Sequence, residues 1–527
     1  MRQPSVMKHN FSQVPTAEIP RSSFDRSHGH KTTFDAGYLI PVFTDEALPG
    51  DTFNCKMTAF ARLATPLHPY MDNAYLDCFF FAVPIRLIWD NFVRMNGEQI
   101  NPGDSTDYIT PTIEAPSGGY LSGSMEDHFG LPTLVEGIKH SALYHRAYNL
   151  IYNEWFRDQN LINSLPVPKG DGPDDPSDYA IQRRGKRHDY YSSSLPWPQK
   201  GPSVNLPLGQ TAPVVSTGLS PRFQDVGETQ PEGAFNAVTG EYFNVVGGLL
   251  TSSVQKFGTE TGLDTDLTTA TAATINQLRE AFQVQKMFER DARGGTRYTE
   301  VIKSHFGVTS PDARLQRPEF LGSGSTAINV TPVPQTSSTD DGPGITDTPQ
   351  GNLAGFGTAT INNNGFTKSF TEHCIIIGLV SARADLTYQQ GLFRPWKRST
   401  RFDYYWPSLS HLGEQVVTQD EIYASGIPAE DDTVFGYQER FAEYRYKPSQ
   451  VTGQFRSNHL QTLDTWHLSQ NFTNAPTLSQ EFIEEDPPFG RVIAVQDEPH
   501  FLFDSYFQLR CARPMPIYSV PGLIDHF

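Results

Sequence analysis

The sequence has no long apolar run and few cysteines. No stretch reaches the roughly 18 apolar residues of a membrane span, and the opening MRQPSVMKHNFSQVPTAEIPRSSF lacks the apolar core of a signal peptide. We therefore expect a soluble protein made in a cytosol. The four cysteines lie far apart without a C-x-x-C pair, which excludes a disulfide framework and a cysteine zinc site. Cys78, Cys374 and Cys511 fall in strand-like runs, which predicts buried free thiols.

Positive charge is scarce as well. The chain has 41 Lys and Arg residues against 59 Asp and Glu, a formal net charge of −18. A protein that coats nucleic acid over its whole surface needs clustered positive charge, so any such contact here must be local. Glycine and proline are abundant, 42 + 40 = 82 residues, and their spread through the chain favours turns and short strands over helices.

The clearest strand patterns lie near the two ends of the chain. Asn73 to Trp89 alternates and then fills with phenylalanine, Glu372 to Val380 is typical of a strand buried on both faces, and Phe501 to Cys511 alternates like a half-solvated strand. Because residues 160–370 supply few partners, the terminal strands are expected to pair with each other in one mainly β sandwich. Weaker strands are predicted at Thr33 to Val42, Thr52 to Ala64, Asp464 to Phe472 and Arg491 to Gln496.

Two helices and two long loops are predicted between these strands. A capping box of Thr133 and Glu136 predicts a helix over about 133–159, apolar nearly all round and therefore covered on more than one side. A second helix over about 275–293, ending at Gly294, has one apolar arc. Residues 201–274 and 307–366 resemble loops. Ordered loops of that length are usually functional or covered, so we expect other copies of the chain to cover them.

Motifs that would indicate catalysis or metal binding are weak. GSGSTA, residues 322–327, matches G-x-G-x-x-A but precedes an extended, proline-bearing stretch and not a helix. Adjacent acids such as Glu484 and Glu485 are typical of a solvated surface. We predict no catalytic residue, no metal site, no cofactor and no enzymatic activity. A carbohydrate-binding or carbohydrate-cleaving β-sandwich and a monomeric DNA-binding module remain as alternatives.

Three stretches carry a more specific signal: GDGPDDPSDYAIQRRGKRHDYYSSSLPWPQKG, INQLREAFQVQKMFERDARGGTRYTEVIKSHFGVTSPDARLQRPEFLGSGS and PQGNLAGFGTA. Together they closely resemble the major capsid protein of gokushoviruses, the small single-stranded-DNA bacteriophages of the Microviridae. KTTFDAGYLIPVFTDEALPGDTF and YLDCFFFAVPIRLIWDNF are similar to the opening strands of the same family. The resemblance runs over nearly the whole chain.

The resemblance implies a single eight-stranded antiparallel jelly roll with long loop insertions and a few helices. It implies a structural virion protein, made and assembled in the host bacterial cytoplasm, of which sixty copies form a T=1 icosahedral shell around a circular single-stranded DNA genome. Expected partners are further copies of the chain, the DNA with a small basic DNA-binding protein, and a host surface receptor. In that family a loop insertion forms protrusions at the three-fold axes, and the weakly patterned segment 202–273 is assigned to it.

The expected organisation follows from these assignments. Residues 1–31 form an arm, and 32–201 hold the first jelly-roll strands, the helix at about 133–159 and a basic loop. Residues 202–273 form the surface insertion. Residues 274–369 hold the second helix and a long inter-strand loop, and 370–527 hold the remaining strands and the carboxyl-terminal segment.

A basic segment stands out in this acidic chain. RRGKRHDYYSSSLPWPQKG, residues 183–201, carries four positive charges in five residues, followed by aromatic residues. Such residues suit single-stranded DNA and also protein interfaces. The mutual repulsion of acidic copies favours a joint between or within subunits, while genome contact and a plain solvated surface remain open. The candidate residues are Arg183, Arg184, Lys186, Arg187, Tyr190, Tyr191 and Trp197.

The amino-terminal arm, residues 1–31, is a second candidate. Its five basic residues against Glu18 and Asp25 give 5 − 2 = +3, and scattered proline and serine suggest an extended segment. We expect it on the shell interior, near DNA or the small basic protein; a flexible solvated tail is the alternative. The basic residues are Arg2, Lys8, Arg21, Arg26 and Lys31.

Overall fold

The computed structural model describes residues 20–204, 275–309, 316–338 and 349–518, together with six short strands between residues 205 and 274. The chain divides into two compact units. The larger unit consists of Met1–Pro198 and Thr296–Phe527, and the smaller one is Gln199–Gly295.

Eight strands of the larger unit form two antiparallel sheets. One sheet has the order β1-β8-β3-β6 and the other the order β2-β7-β4-β5. Most strands that follow one another in the chain lie in opposite sheets, which is the arrangement of a jelly roll. The predicted fold class is confirmed. The strands are β1 (His28–Phe34), β2 (Ile40–Ala47), β3 (Thr52–Leu63), β4 (Ala74–Pro84), β5 (Glu319–Ala327), β6 (Leu353–Ser369), β7 (Cys374–Ala384) and β8 (Phe501–Arg513).

The strands from the two chain ends pair with each other, as expected. Strand β8 lies between β1 and β3, with Phe501 opposite Phe34 on one side and Leu63 on the other. A short strand, Ser22–Asp25, extends the pairing along β8, and Asn329–Pro334 pairs with β6 at the opposite edge. The sheet therefore begins at Ser22, within the segment that we expected to be an arm.

Two hydrophobic cores lie on either side of the second sheet. The first fills the space between the sheets, and alternate residues of β3 and β8 point into it, including Phe53 and Phe507. This confirms the half-solvated pattern of β8. Strand β7 is buried along its whole length, because Ile376 faces the first core and Ile377 the second. The four cysteines are buried free thiols, as predicted.

A helix covers the second core, but it is shorter than predicted. Helix α1 (Leu143–Ile151) continues into one π-helical turn, Tyr152–Phe156, and does not begin at Thr133. Leu134 has a positive φ of 59° and its N–H donates to the Tyr120 carbonyl, so this segment makes turn contacts in place of helical ones. Seven residues of α1 are buried, which confirms that it is covered on more than one side.

The second predicted helix is present with the expected bounds. Helix α2 (Ile275–Arg293) lies in the smaller unit, and its less exposed residues form one arc that ends with Ala292. The side chain of Phe282 was predicted on that arc and is instead mostly exposed. Helix α3 (Tyr298–Phe306) follows in the larger unit and ends at Gly307, whose φ of +70° suits glycine.

Several predicted loops and strands were wrong. The supposed loop 307–366 contains β5 and most of β6, which pair with strands of the same chain. Strands were also predicted over 464–472 and 491–496, where the structure has the 3₁₀ turn Asp464–Trp466 and the helical turn Phe489–Val492. Short apolar runs do not separate a strand from a buried turn.

A third hydrophobic core lies among the connections. It joins residues of the basic segment with the long connection from β7 to β8, which residues 385–500 form. The connection formed by residues 385–500 therefore packs against other segments of its own chain. Its buried members are Ile162, Tyr190, Tyr191, Tyr388, Val417, Ile422, Phe435, Phe482 and Ile483.

The remaining described elements are short. Further strands are Thr112–Glu114, Lys139–Ser141, Val214–Ser216, Arg222–Asp225, Gly233–Phe235, Tyr242–Asn244, Gln255–Phe257, Leu263–Thr265, Glu414–Thr418 and Val434–Glu439. Single helical turns are Phe92–Met95, Met125–His128, Gln419–Ile422, Pro428–Asp431 and Gln480–Ile483. Further 3₁₀ turns are Ile85–Leu87, Pro176–Asp178, Arg394–Lys397, Arg401–Asp403, Pro407–Leu409, Ala442–Tyr444 and Gly453–Phe455.

Candidate functional site

The backbone of the basic segment is held between two other parts of the larger unit. The Arg184 N–H donates to the Gly37 carbonyl at 2.8 Å, and the Lys186 N–H donates to the Ile483 carbonyl at 2.7 Å. Gly37 has a φ of +87°, and a Cβ there would lie 2.0 Å from the Glu485 carbonyl oxygen. Only glycine permits this close approach. The loop before β2 and the segment around Glu485 therefore contact the basic segment on its two sides.

Arg183 contacts this carboxyl-terminal segment directly. Its guanidinium forms an ion pair with Asp486, donates to the Glu485 carbonyl at 3.2 Å and lies 4.5 Å from the centroid of the Tyr38 ring. Tyr38 belongs to the loop before β2, and Glu485 and Asp486 belong to the segment on the other side. Arg183 thus acts as a link within one chain.

Arg184 belongs to a buried network centred on Asp77 of β4. One carboxylate oxygen of Asp77 accepts from Arg184 at 2.7 Å and from Arg383 of β7 at 2.8 Å, and the other accepts from Ser325 of β5 at 2.6 Å. Burial alone would raise the pKa of Asp77, but the Ser325 hydrogen bond and the two arginines outweigh it and lower that pKa. Three strands and the basic segment are joined at this one carboxylate.

Lys186 is buried, which is unusual for a lysine. Its ammonium donates to the Phe482 carbonyl at 2.5 Å and lies 4.5 Å from the centroid of the Phe482 ring. Burial lowers the pKa of Lys186, and the nearby Glu485 opposes that shift. Burial likewise raises the pKa of Glu485, against the attraction of Lys186 and Arg184. The acid pair 484/485 was expected to be solvated, and Glu485 is instead buried near Lys186 and Arg184.

The two tyrosines that follow are anchors in the third core. The Tyr190 hydroxyl donates to a Glu421 carboxylate oxygen at 3.1 Å, and the Tyr191 hydroxyl donates to the Glu421 carbonyl at 2.6 Å. Both side chains are buried. Trp197 is half-buried, and Arg187 is exposed, without a carboxylate partner among the residues that the structure describes.

The basic segment is thus mainly a joint within the chain. Arg183, Arg184, Lys186 and the two tyrosines are all engaged by their own subunit, which was one of the interpretations left open. Contact with a neighbouring subunit or with the genome remains a prediction, and Arg187 is the residue of this segment that is best placed for it.

The basic residues of the arm are only partly described. Arg2 and Lys8 lie outside the described residues. Arg21 donates to Thr52 at 2.8 Å, and Arg26 pairs with Asp45 at 2.6 Å. Lys31 lies 3.1 Å from Asp504 in an exposed pair. From Ser22 onward the segment is therefore part of the sheet edge, and its interior location stays a prediction.

One surface was missed by the sequence-based predictions. It comprises six exposed aromatic side chains, most of them in GLFRPWKRSTRFDYYWPSLSHL, residues 391–412, which we call the aromatic surface. The sequence signal for this surface is the density of aromatic residues in that stretch, interleaved with four basic residues. Its members are Trp396, Phe402, Tyr404, Tyr405, Trp406 and Tyr444.

The fold defines the class of protein. A complete double-sheet jelly roll is an architecture that viral capsids share with lectins and cupins. Among the described residues, no helix is both long and apolar enough to cross a bilayer.

Comparison with known proteins decides within that class. A family model described as Capsid protein (F protein) matches residues 12–523. The chain is 49% identical to Capsid protein VP1 of Bdellovibrio phage phiMH2K, covering 99% of this chain and 98% of that protein. It is 46% identical to Capsid protein VP1 of Chlamydia phage 1, with 99% and 98% covered. It is 38% identical to Capsid protein VP1 of Spiroplasma virus 4, with 98% and 97% covered.

The chain belongs to this family of phage capsid proteins. It is a structural major capsid protein and a component of the virion, not an enzyme. The resemblance to gokushovirus capsid proteins is confirmed, and a capsid role implies self-assembly into a multimeric shell.

Proposed function

We propose that sixty copies of this chain form a T=1 icosahedral shell around a circular single-stranded DNA genome. The observation that carries this proposal is the single complete jelly roll in each chain. A shell of identical subunits in identical environments requires one such building block and no alternative conformation. The full-length similarity to phage capsid proteins supports the same assembly.

The genome contact is proposed to be local. Arg187 supplies an exposed cation, and the arm, residues 1–31, supplies further positive charge. Phosphate binding needs such clustered charge. A small basic DNA-binding protein is proposed to neutralise the rest of the genome, since the capsid chain itself has a net charge of −18.

The insertion 202–273 is proposed to form the protrusion that meets a host surface receptor. It falls inside the smaller compact unit, Gln199–Gly295, which lies between β4 and β5 in the sequence. Loops carried on a rigid scaffold are common sites of binding. Most of its residues lie outside the described ones.

Expression of the chain with its genome tests the shell proposal. We expect uniform particles in sedimentation and negative-stain electron microscopy, with icosahedral symmetry of sixty subunits and nuclease-protected circular DNA. In the variant Arg187→Ala we expect intact particles that retain less DNA, while Lys169→Ala, another exposed cation, retains the normal amount. Material that stays monomeric at high concentration contradicts the shell, and unchanged DNA retention contradicts the role of Arg187.

A further inference from the structure

The aromatic surface exposes several large aromatic side chains to solvent. The side chain of Trp396 is 77% exposed and that of Phe402 is 67% exposed, and the other four members are each at least partly exposed. Contiguous exposed apolar patches usually mark interaction sites. Tryptophan, tyrosine and arginine are also the residue types that carry most of the binding energy at protein interfaces.

Three of the members, Tyr404, Tyr405 and Tyr444, are held in place before any partner binds. The Arg398 guanidinium lies 4.2 Å from the centroid of the Tyr444 ring and 5.3 Å from that of Tyr404. The Tyr405 N–H donates to the Tyr444 hydroxyl at 3.3 Å, and Tyr405 packs edge-on against buried Phe441. A surface that is already ordered loses little conformational entropy on binding.

The charge of this surface distinguishes a protein partner from nucleic acid. Arg394 pairs with Glu421 at 2.8 Å, Lys397 with Asp420 at 2.7 Å, and Arg398 with Glu443 at 3.1 Å. All three acids are buried.

The remaining cation, Arg401, lies over Trp406, and Asp403 is on the same turn. Arg440 donates to the Phe402 carbonyl at 2.9 Å and adds a fifth cation, so five cations against four acids give 5 − 4 = +1. Single-stranded DNA needs aromatic rings together with clustered unpaired positive charge for its phosphates, and here three of the cations are paired with buried acids.

A second copy of this chain is the partner that fits. Copies with a net charge of −18 repel one another, so they approach most easily through a surface without negative charge. Next to the rings, Trp396 lines a cavity of about 270 Å³ together with Tyr388 and Phe393. The cavity offers a recess for a side chain of the partner.

We propose that the aromatic surface is a contact between neighbouring copies of the chain in the assembled shell. This inference rests on the proposed shell and adds one of the subunit contacts that hold the shell together. Trp396 and Phe402, the most exposed members, are the central contact residues, and the buried acids hold the surrounding cations away from the neighbour's side chains.

Substitution of the two central residues tests the contact. In the double variant Trp396→Ser with Phe402→Ser we expect a folded subunit, with unchanged circular dichroism and thermal midpoint, whose yield of particles in sedimentation falls at least about tenfold, because truncating central interface aromatics weakens association strongly. The matched control is Ile109→Ser, which removes an apolar side chain that is 80% exposed outside this surface. We expect the control to assemble like the unaltered chain.

Photo-crosslinking keeps the inference testable if the double variant fails to fold. A photoreactive amino acid, p-benzoylphenylalanine, replaces Trp396, and particles are irradiated and denatured. Covalent dimers of the chain support the contact, and adducts with DNA overturn it in favour of the genome.

The outcomes separate the two proposals. If the unaltered chain forms particles and the double variant forms them equally well, the inference fails while the shell stands. If the unaltered chain forms no particles, the proposed function itself fails.

Discussion

At the scale of single residues, the charges of this capsid protein are used mainly to join its own segments. Asp77 is the clearest case, because its carboxylate accepts hydrogen bonds from Arg184, Arg383 and Ser325. Its side chain is 8% exposed and those of the two arginines 13% and 7%. Water cannot replace a partner lost at such a site. Removal of one partner from this network therefore costs more stability than removal of one partner from an exposed ion pair.

Replacement of Asp77 tests this difference. We expect Asp77→Ala to lower the free energy of unfolding by about 3–5 kcal/mol, because two buried guanidinium groups lose their shared counter-charge. The matched control is Asp504→Ala, which removes the exposed pair with Lys31 and should cost less than about 1 kcal/mol. The measurement is chemical denaturation of dissociated subunits at pH 7. Equal losses in the two variants would contradict the assigned role of the buried network.

The choice of pH 7 for that experiment follows from the pKa of Asp77. Because this pKa is lowered in the folded chain, the unfolded chain binds a proton first as the pH falls. The stabilisation is therefore complete above the ordinary range of aspartate and is lost as the pH falls below it.

At the scale of elements, β5 and β6 are strands built from small residues. Gly322 and Gly324 of β5 lie against Asn364 and Gly365 of β6, and a Cβ on Gly322 would lie 2.7 Å from the Gly365 carbonyl oxygen. The pairing of β6 with β3 shifts register between Ile361 and Asn364, as at a β-bulge. The two strands approach closely here because the glycines of β5 leave room for the Gly365 carbonyl and for the Asn364 side chain. Glycine in these strands is a packing requirement and not a sign of a loop.

Substitution of Gly365 tests this close approach. An alanine Cβ would lie 2.0 Å from the Cys55 carbonyl oxygen in β3, so the strands must separate. We expect Gly365→Ala to lower the free energy of unfolding by about 1–3 kcal/mol, as overpacking does.

The control is Gly490→Ala, where a Cβ meets nothing within 4 Å, and we expect a change within about 0.5 kcal/mol. Both are measured by chemical denaturation. A neutral Gly365→Ala variant would show that the strands tolerate a wider spacing.

At the scale of the whole molecule, a strongly acidic chain has to associate with copies of itself. Its net charge of −18 opposes that association at long range, whereas apolar surfaces and local charge pairs favour it at contact. The basic segment does little to offset the repulsion between copies, because two of its four clustered cations are paired with acids of the same chain and Lys186 is buried. Salt in the solution is then the main source of screening.

Assembly of the purified subunit should therefore improve with moderate salt. We expect the rate and yield of particle formation to rise as sodium chloride is increased from about 10 mM to about 150 mM, because the Debye length falls from about 30 Å to about 8 Å. Light scattering and sedimentation measure both quantities. The control is sucrose at matched osmolality, which adds no ions. A yield that falls with salt would indicate that attraction between unlike charges dominates the subunit contacts.

Much of the fold was predictable from residue patterns. The alternation of β8 and the unbroken apolar run of β7 indicated a half-solvated and a fully buried strand, and both are present. Strands β5 and β6 were missed because their packing relies on glycine and asparagine, which carry no hydrophobic alternation. The helix predicted from Thr133 failed because the backbone there pairs with a segment near Tyr120, a long-range choice that local capping signals do not contain.

The candidate site was likewise predictable only in part. Charge density identified the basic segment, but its partners Asp77, Glu485 and Asp486 lie about 100 to 300 residues away along the chain. No local pattern specifies such pairs. The aromatic surface was visible as composition, whereas the pairing of three of its cations depends on Asp420, Glu421 and Glu443, which lie outside that stretch.

By itself, the sequence determined that this protein is a mainly β capsid subunit with buried thiols, because alternation and family motifs are properties of consecutive residues. The tertiary structure alone decided which charges meet. Burial brings carboxylates against guanidinium groups from distant segments, and low solvent exposure makes the loss of either partner costly. The same sequence of charges is compatible with contacts to DNA or to a neighbouring subunit. In the folded chain, most of these charged side chains contact residues of the same chain.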